Sequence, residues 1–464
     1  MMQAADAGIC APNLGSFCAE DVWEDAQRIL EEVGIEILSE AAATRVRGTL
    51  AVKDGRAHFP REVLDHYFEE LRSKFRQVPP EPYPFLTLEV SSWHNCFRDP
   101  RTGETRPWTT PALKAHAKAL RQVGRTDDRL YVHTPGYPQD VSPELAPLEA
   151  QYLEFLYSQK PELKMVQGVA AHRHRIEMAR IMGLHHQFAA QTPSPLKFGG
   201  HTVDIVLELF EPGMSVLIDT MPCVGISAPG DWRAAWALDV AENVGAYIIF
   251  RLCGIPDVWT QFRLFAPNMQ TSLVYFTSPK ALSALMMRSK VRQFFGLKET
   301  RRSELNLVVS KAPDQQAAAE KMAGCMMGAI WGFDVIEGAG ALYLDEVFSW
   351  EQFWIDLEIR DYVASMLQPV APRTIADTVE AVREGVEGGT FLDTDATLSS
   401  YQDFTWHPRR FDIGTRQGWS GHALLEPCRL PDLDDLARAY DYELRDERRE
   451  ALERVMAAAR EELG

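Results

Sequence analysis

Several things are missing from this 464-residue chain, and each absence removes a class of function. No run of about 18 apolar residues is free of charges or prolines, which excludes a membrane-spanning helix. The N-terminus shows no charged region followed by an apolar stretch of signal-peptide length. There is no long basic block: 48 Lys and Arg stand against 66 Asp and Glu, for a formal charge of −18, and the acidic residues crowd near Asp432 to Glu462. Such a surface repels phosphate backbones, so nucleic acid is not an expected partner. The seven cysteines are odd in number and lack paired spacing, so no disulfide framework is implied and a reducing cytoplasm is the expected compartment. A Walker loop, a dinucleotide fingerprint, a nucleophile elbow, heptads and low-complexity segments are missing too.

What is present is a long alternation of apolar runs and helical spacing. Ala19 to Gly34 carries Val22, Ala26, Ile29, Leu30 and Val33 on one face and ends on glycine, which predicts an amphipathic helix. Ile35 to Leu38 and Leu50 to Phe59 read as extended pieces, the second turning at Asp54-Gly55, and Pro60 to Phe75 as a helix with proline first. From Leu130 onward eight candidate strands follow: Leu130 to Thr134, Leu163 to Val169, Pro195 to Gly199, Ser215 to Asp219, Ala246 to Cys253, Ser272 to Phe276, Leu305 to Val309 and Asp334 to Gly338. Between them lie helical segments at Pro143 to Tyr157, His172 to Gly183, Asp231 to Asn243, Pro279 to Phe295 and Asp314 to Trp331.

Eight β-α units predict an α/β fold, a closed (β/α)8 TIM barrel, over residues 128–349. An N-terminal α+β cap would occupy 1–127 and a helical or irregular C-terminal extension 350–464. In the extension, a helix is expected from Trp350 to about Gln368 and another over Asp377 to Glu384, then an irregular aromatic stretch from Phe391 to Trp419, of a length usually draped over a site. The charged helix from Leu433 to Leu463 suits a surface or a contact within a homo-oligomer. Because parallel sheets carry function at the carboxyl ends of their strands, Ser310 and Glu337 are placed at the barrel mouth by geometry alone.

The order of short motifs resembles a known family. Val22 to Ile37 followed by Ser-Glu-Ala-Ala, Asp99-Pro-Arg-Thr-Gly-Glu-Thr-Arg-Pro107, Pro138-Gln-Asp-Val141, Gly225-Ile-Ser-Ala-Pro229 with Ala241-Glu242, and Ser278-Pro279 come in sequence. Lys311, Asp314, Gln315 and Glu320, Gly338-Ala-Gly340, and Phe391-Leu392 with Trp406 and Pro408 follow. Together, over residues 20–440, they resemble the trimethylamine methyltransferase family. The resemblance implies an elaborated eight-fold barrel that moves a methyl group from a methylated or quaternary amine to the cobalt of a corrinoid (cobalamin) carried by a separate small protein. Founding archaeal members contain pyrrolysine, which this sequence lacks; the wider bacterial group without it acts on substrates such as glycine betaine. In one place the chain departs from the pattern: family members tend to carry His-Thr-Leu where it reads Ala396-Thr397-Leu398. That departure keeps a sulfonium or methoxy donor, or a binding protein without chemistry, as alternative readings.

A quaternary ammonium needs aromatic faces and the exclusion of water rather than a proton donor. Candidates for such a cage are Phe97, Tyr275, Phe276, Trp331, Trp406 and Trp419, with ordinary core packing as the competing reading for each. The polar set expected at the strand ends is His133, Gln167, Asp219, Arg251 and Glu337, with His94 and His201 in adjoining loops. Arg251 interrupts an apolar run, so it either pairs with Asp219 or Glu337 inside the barrel or points at a substrate carboxylate. Zinc held by His94, Cys96, Cys223 or Cys253 is less favoured, because no spacing rule joins them. His172-Arg-His174 and His185-His186 are expected on the surface.

Overall fold

The computed structural model describes residues 17–78, 83–297, 302–368, 377–418 and 430–464. Its centre is built from seven short strands: β1 (Thr87–Val90), β2 (Leu130–Val132), β3 (Gln187–Gln191), β4 (Ser215–Asp219), β5 (Val258–Thr260), β6 (Arg302–Ser303) and β7 (Val335–Glu337). They form two sheets, in the orders β6-β7-β1-β2 and β5-β4-β3, and every pairing within them is parallel. Parallel neighbours need crossovers, and helices α1 (Trp232–Leu252) and α3 (Gln315–Trp331) supply two of them, while α2 (Pro279–Phe294) runs from one sheet to the other. Among the described residues no ladder joins β2 to β3 or β5 to β6, so hydrogen bonding leaves the two sheets unclosed. The architecture is α/β.

Each of these helices starts where a side chain takes up its first free N–H groups. Asp231, Ser278 and Asp314 cap α1, α2 and α3, and α3 stops at Gly332 with φ 83°. Caps of this kind are worth about 1 kcal/mol each.

Several expected strands are corrected. Ala246 to Cys253 lies in the last turns of α1 and just beyond. That helix is buried nearly all round, so its apolar residues lose the 3.6-residue rhythm and imitate a strand. Pro195 to Gly199 does contain a strand, Lys197–Phe198, but it pairs with Ile35–Ile37 in a separate sheet. No ladder strand forms over Leu163 to Val169 or Ser272 to Phe276, and Leu305 to Val309 lies just beyond β6. Two core strands, β3 and β5, fall between the expected ones, and β1 comes from the segment expected to be cap.

The remaining sheets flank this centre. Ile35–Ile37, Ala51–Lys53, Arg56–His58 and Lys197–Phe198 make a mixed sheet that includes the expected hairpin at Asp54-Gly55. Cys96–Arg98, Thr105–Pro107, Ala341–Leu342 and Val347–Ser349 make another. Two hydrophobic clusters hold the layers. One joins Leu30, Ile35 and Phe198 to Val216, Ile218 and Trp236. The other joins Leu88 and Ile336 to Phe353 and Leu452. A fully covered side chain of this size contributes roughly 1.5–3 kcal/mol.

Beyond α4 (Trp350–Met366) the chain is more helical than expected. The stretch from Phe391 contains Asp395–Phe404, and the terminal helix is two pieces, Leu433–Ala439 and Glu447–Leu463. The second buries Leu452, Val455, Met456 and Ala459 inside the molecule, so one of its faces is core rather than free surface. Helices Thr378–Gly388 and Asp395–Phe404, in contrast, leave Val379, Val382, Val386, Leu398, Tyr401 and Phe404 exposed. No helix among the described residues is long and apolar enough to cross a membrane.

Candidate functional site

Register decides which side chains meet at the strand ends. Glu337 on β7 pairs with Glu89 on β1, which pairs with Tyr131 on β2. Paired residues of parallel strands share a face, so these three project together. The alternate residues Leu88 and Ile336 go the other way, into the helix-covered core. Arg302, opposite Val335 and thus one layer below, places Nε 3.2 Å from Glu89 Oε2. His133, just past β2, brings Nε2 to 2.9 Å from Glu89 Oε1.

The second sheet supplies a matching set. Asp219 ends β4, and its Oδ1 lies 3.1 Å from Nη1 of Arg263, three residues past β5. The other arm of Arg263 pairs with Glu304, and Arg288 of α2 reaches the same carboxylate, Nη1 to Oε2, at 3.1 Å. Asp219, Arg263, Glu304 and Arg288 thus continue the charged lattice from one sheet toward Glu337.

Burial and neighbours set the protonation of this lattice. Burial alone would raise the Glu304 carboxyl, but Arg288 and Arg263 hold it far below the usual range. Burial likewise opposes ionisation of Glu89, and the His133 hydrogen bond and the Arg302 charge outweigh it. For His133 burial favours the neutral ring, yet the Glu89 hydrogen bond and charge raise its pKa overall. Glu337 goes the opposite way: burial first, then the like charges of Glu89 and Glu304, push it up to about 8 against the weaker pull of Arg263 and Arg302. Glu337 lies deep among these groups, yet its side chain is only partly covered.

Beside the lattice lies a partly open cleft. Trp236, Phe265 and Phe276 give it aromatic walls; Arg263, Arg288 and Glu304 give it charge. Phe276 meets Phe265 edge-on at 5.4 Å between centroids, and the Arg263 guanidinium lies 5.9 Å from the Phe265 ring centre. Glu320 of α3 fixes the cleft's outer loop: it accepts from Tyr275 Oη at 2.8 Å and from the Val309 N–H at 2.9 Å.

Of the residues expected from sequence, His133, Asp219 and Glu337 meet in the lattice and Phe276 lines the cleft, with Tyr275 behind it on Glu320. His94 follows β1, bonds the Asp345 carbonyl through Nδ1 at 2.8 Å, and leaves Nε2 buried without a partner. Burial pushes its pKa down to about 3, so the ring is neutral.

The others are elsewhere. Phe97 stacks on Trp108 at 4.6 Å in the core. Gln167 and His201 are exposed. Arg251, near the end of α1, pairs with Glu70 at 2.8 Å and with neither Asp219 nor Glu337. Ser310 Oγ donates to the cap residue Asp314 at 2.9 Å, a local tie at the start of α3. Trp406 packs edge-on against Tyr362 of α4 at 4.9 Å, and Trp331 packs on the second core. Trp419 lies outside the described residues. His172 and His186, expected on the surface, are buried. Cys96, Cys223 and Cys253 are free thiols, and among the described residues no group of three or more His, Cys, Asp or Glu could hold a metal ion.

Glu89, Arg263, Arg288, Arg302, Glu304, Trp236 and Phe265 were not anticipated. A signal existed for Glu89, a charge inside the short run Thr-Leu-Glu-Val, but that run fell in the presumed cap. Arg263 and Glu304 each follow a strand too short to announce itself.

The family profile of trimethylamine methyltransferases matches residues 18–463. A trimethylamine methyltransferase of Methanosarcina mazei is 29% identical over 203 residues, which cover 43% of this chain and 40% of that protein. One from the bacterium Desulfitobacterium hafniense is 22% identical over 332 residues, 69% of this chain and 66% of that one. The chain therefore spans less than half the length of the archaeal relative. Among solved structures, the monomethylamine methyltransferase of Methanosarcina barkeri aligns over 100% of this chain and 98% of its own, at 9% identity and a TM-score of 0.40.

Proposed function

The chain belongs to the trimethylamine methyltransferase family, and from that premise we propose that it moves a methyl group from a small betaine-type quaternary amine to the Co(I) corrinoid of a partner protein. The observation that carries this reading is the bipolar cleft: aromatic faces from Trp236, Phe265 and Phe276 beside the guanidiniums of Arg263 and Arg288. A betaine needs both halves. Its trimethylammonium is attracted to each aromatic face by roughly 0.5–2 kcal/mol once desolvated. Its carboxylate is matched by a guanidinium.

The rest of the work is positional. A quaternary nitrogen already carries the charge that lets an amine leave, so the chain has no proton to deliver to it. It holds the cation, aims one methyl group outward and keeps water away, which removes much of the entropic cost of the encounter. When docked, the partner's corrinoid supplies a Co(I) nucleophile. A corrin ring is too large for this cleft, and would have to face the opening from outside, as carriage on a second protein requires.

The finer fold belongs to the same proposal. The lattice links the edges of the two sheets through Arg263 of the β5 edge and Glu304 of the β6 edge, which favours an eight-fold barrel whose eighth member is the stretch near Lys164. On this reading the barrel begins at β1, moving the cap boundary from residue 127 to before residue 87, and the extension still begins near residue 350. We place the protein in the cytoplasm and the exposed faces of Thr378–Gly388 and Asp395–Phe404 at a contact between copies in a homo-oligomer.

The test mixes the purified chain with Co(I) cobalamin and glycine betaine, other betaines, methylamines, dimethylsulfoniopropionate and methoxyarenes. Methyl-Co(III) absorbance should rise with a betaine. A rise only with the sulfonium or a methoxyarene moves the substrate class, and no rise with any of them overturns methyl transfer.

A further inference from the structure

Glu337 stands out in the lattice because, among the described residues, no ion pair joins it directly to a cation, although the charges of Glu89, Glu304, Arg263 and Arg302 all act on it. Glu89 meets it from β1, Arg302 and Glu304 from β6 and its exit, and Arg263 from the exit of β5. Behind these stand His133 on Glu89 and Asp219 on Arg263. The ion pairs of the nearby guanidiniums are with other carboxylates: Arg263 with Asp219 and Glu304, Arg288 with Glu304, Arg302 with Glu89.

The strand register makes the Glu89 and Glu337 pairing unavoidable, since neighbouring parallel strands stand about 4.8 Å apart and both side chains share a face. Two carboxyls so placed cannot both ionise cheaply. Glu337 also keeps part of its surface uncovered.

We propose that Glu337 is the cation receptor of this charged site and works by exchange: empty, it holds a proton against Glu89; occupied, it releases that proton to solvent and faces a quaternary ammonium as a carboxylate. The inference rests on the quaternary-amine reading above and deepens it, because a cation that cannot be deprotonated is the ligand that makes exchange obligatory. The balance is simple. The Glu337 O–H bond breaks, its proton goes to the buffer, and one positive charge replaces another, so the buried region keeps its net charge. An ammonium carrying its own N–H could satisfy the site without exchange by donating that hydrogen. The step therefore separates fully methylated from partly methylated amines.

The experiment is titration calorimetry on the full chain with glycine betaine, in buffers of differing ionisation enthalpy. Near pH 7 about one proton should be released per ligand bound, falling toward none by about pH 10, where Glu337 is already ionised. The carbon isostere 3,3-dimethylbutanoate, which has no cationic head, should bind with no release, and so should betaine to Glu337→Gln. Betaine binding near pH 7 without proton release, or with the same release in Glu337→Gln, overturns the exchange while leaving the substrate reading intact. If that variant fails to fold, the wild-type comparison decides: equal release with the charged and uncharged heads overturns it as well. If no quaternary ammonium binds at all, the substrate reading fails first and this inference with it.

Discussion

Lys321 Nζ lies 2.8 Å from Asp356 Oδ2 with both side chains sealed from water, and the two grip one glycine loop from opposite sides. Nζ donates to the Gly338 carbonyl at 2.8 Å, and Oδ2 accepts the Gly340 N–H at 2.7 Å. This pair joins α3 to α4 at the loop that follows Glu337, so the Glu337 carboxyl sits beside a buried ion pair. Removing one partner strands the other charge: Asp356→Asn should cost about 3–5 kcal/mol in denaturant unfolding. The double variant Lys321→Met/Asp356→Leu should lose less than Asp356→Asn alone.

Two arginines give a matched comparison for activity. Arg263 bridges Asp219 and Glu304 at the cleft, whereas Arg251 pairs with Glu70 on the outer side of α1. A lysine cannot reach two carboxylates as a guanidinium does. Arg263→Lys should lower kcat/KM for methyl transfer by about tenfold or more, a loss of at least about 1.4 kcal/mol in transition-state binding. Arg251→Lys should leave kcat/KM unchanged and cost no more than about 1 kcal/mol of stability, as expected of a part-exposed pair.

Glu242 of α1 makes stability depend on pH. It accepts Ser194 Oγ at 2.7 Å and the Leu196 N–H at 2.7 Å, but burial, only partly offset by these donors, pushes its pKa up from 4.5 to about 7. Between those values the folded chain holds a proton that the unfolded chain has lost. The stability from this group is therefore complete below about pH 4.5, falls as pH rises to about 7, and is flat above, a change on the order of 3 kcal/mol. Melting curves should show Glu242→Gln gaining on wild type across that window and holding its gain beyond it. A constant difference from pH 5 to pH 8 would refute the assignment.

Gly338 has φ 110°, and a Cβ there would come within 2.6 Å of the Asn306 carbonyl carbon. Gly338→Ala should therefore cost about 1–3 kcal/mol in backbone strain, plus whatever shift the loop makes to relieve the contact. Because Glu337 is its neighbour, the betaine affinity of the variant should fall along with its melting temperature. Affinity at the wild-type level would show that the strain stays local.

How much of this was legible in the sequence depends on the kind of residue. Helices with a capping residue at the start were readable: Pro279–Phe294 with Ser278 before it, and Gln315–Trp331 between Asp314 and Gly332. Trp232–Leu252 was readable only in its first half, as Asp231 to Asn243; its second half was not, because a helix buried all round carries no polar face to mark its period. Strands of two or three residues, such as Arg302–Ser303, are set by partners far away in sequence rather than by local preference. That is why Glu304 and Arg263, which sit just past such strands, escaped notice, whereas Asp219 and Glu337, at the ends of Val-Leu-Ile-Asp and Val-Ile-Glu, did not. Arg251 misled for the same reason as its helix, since a charge in an apolar run looks internal until the helix turns it outward to Glu70.

The strand order also dictates a timetable for the nascent chain. Thr87–Val90 finds Leu130–Val132 soon after synthesis, yet its other neighbour, Val335–Glu337, is made far later, and Ile35–Ile37 waits for Lys197–Phe198. Through most of translation the ribosome-bound chain therefore presents a bare edge of Thr-Leu-Glu-Val, and such edges recruit other chains. Chaperone dependence during expression, and loss of soluble product when the chain is cut before residue 335, follow from where one four-residue strand sits.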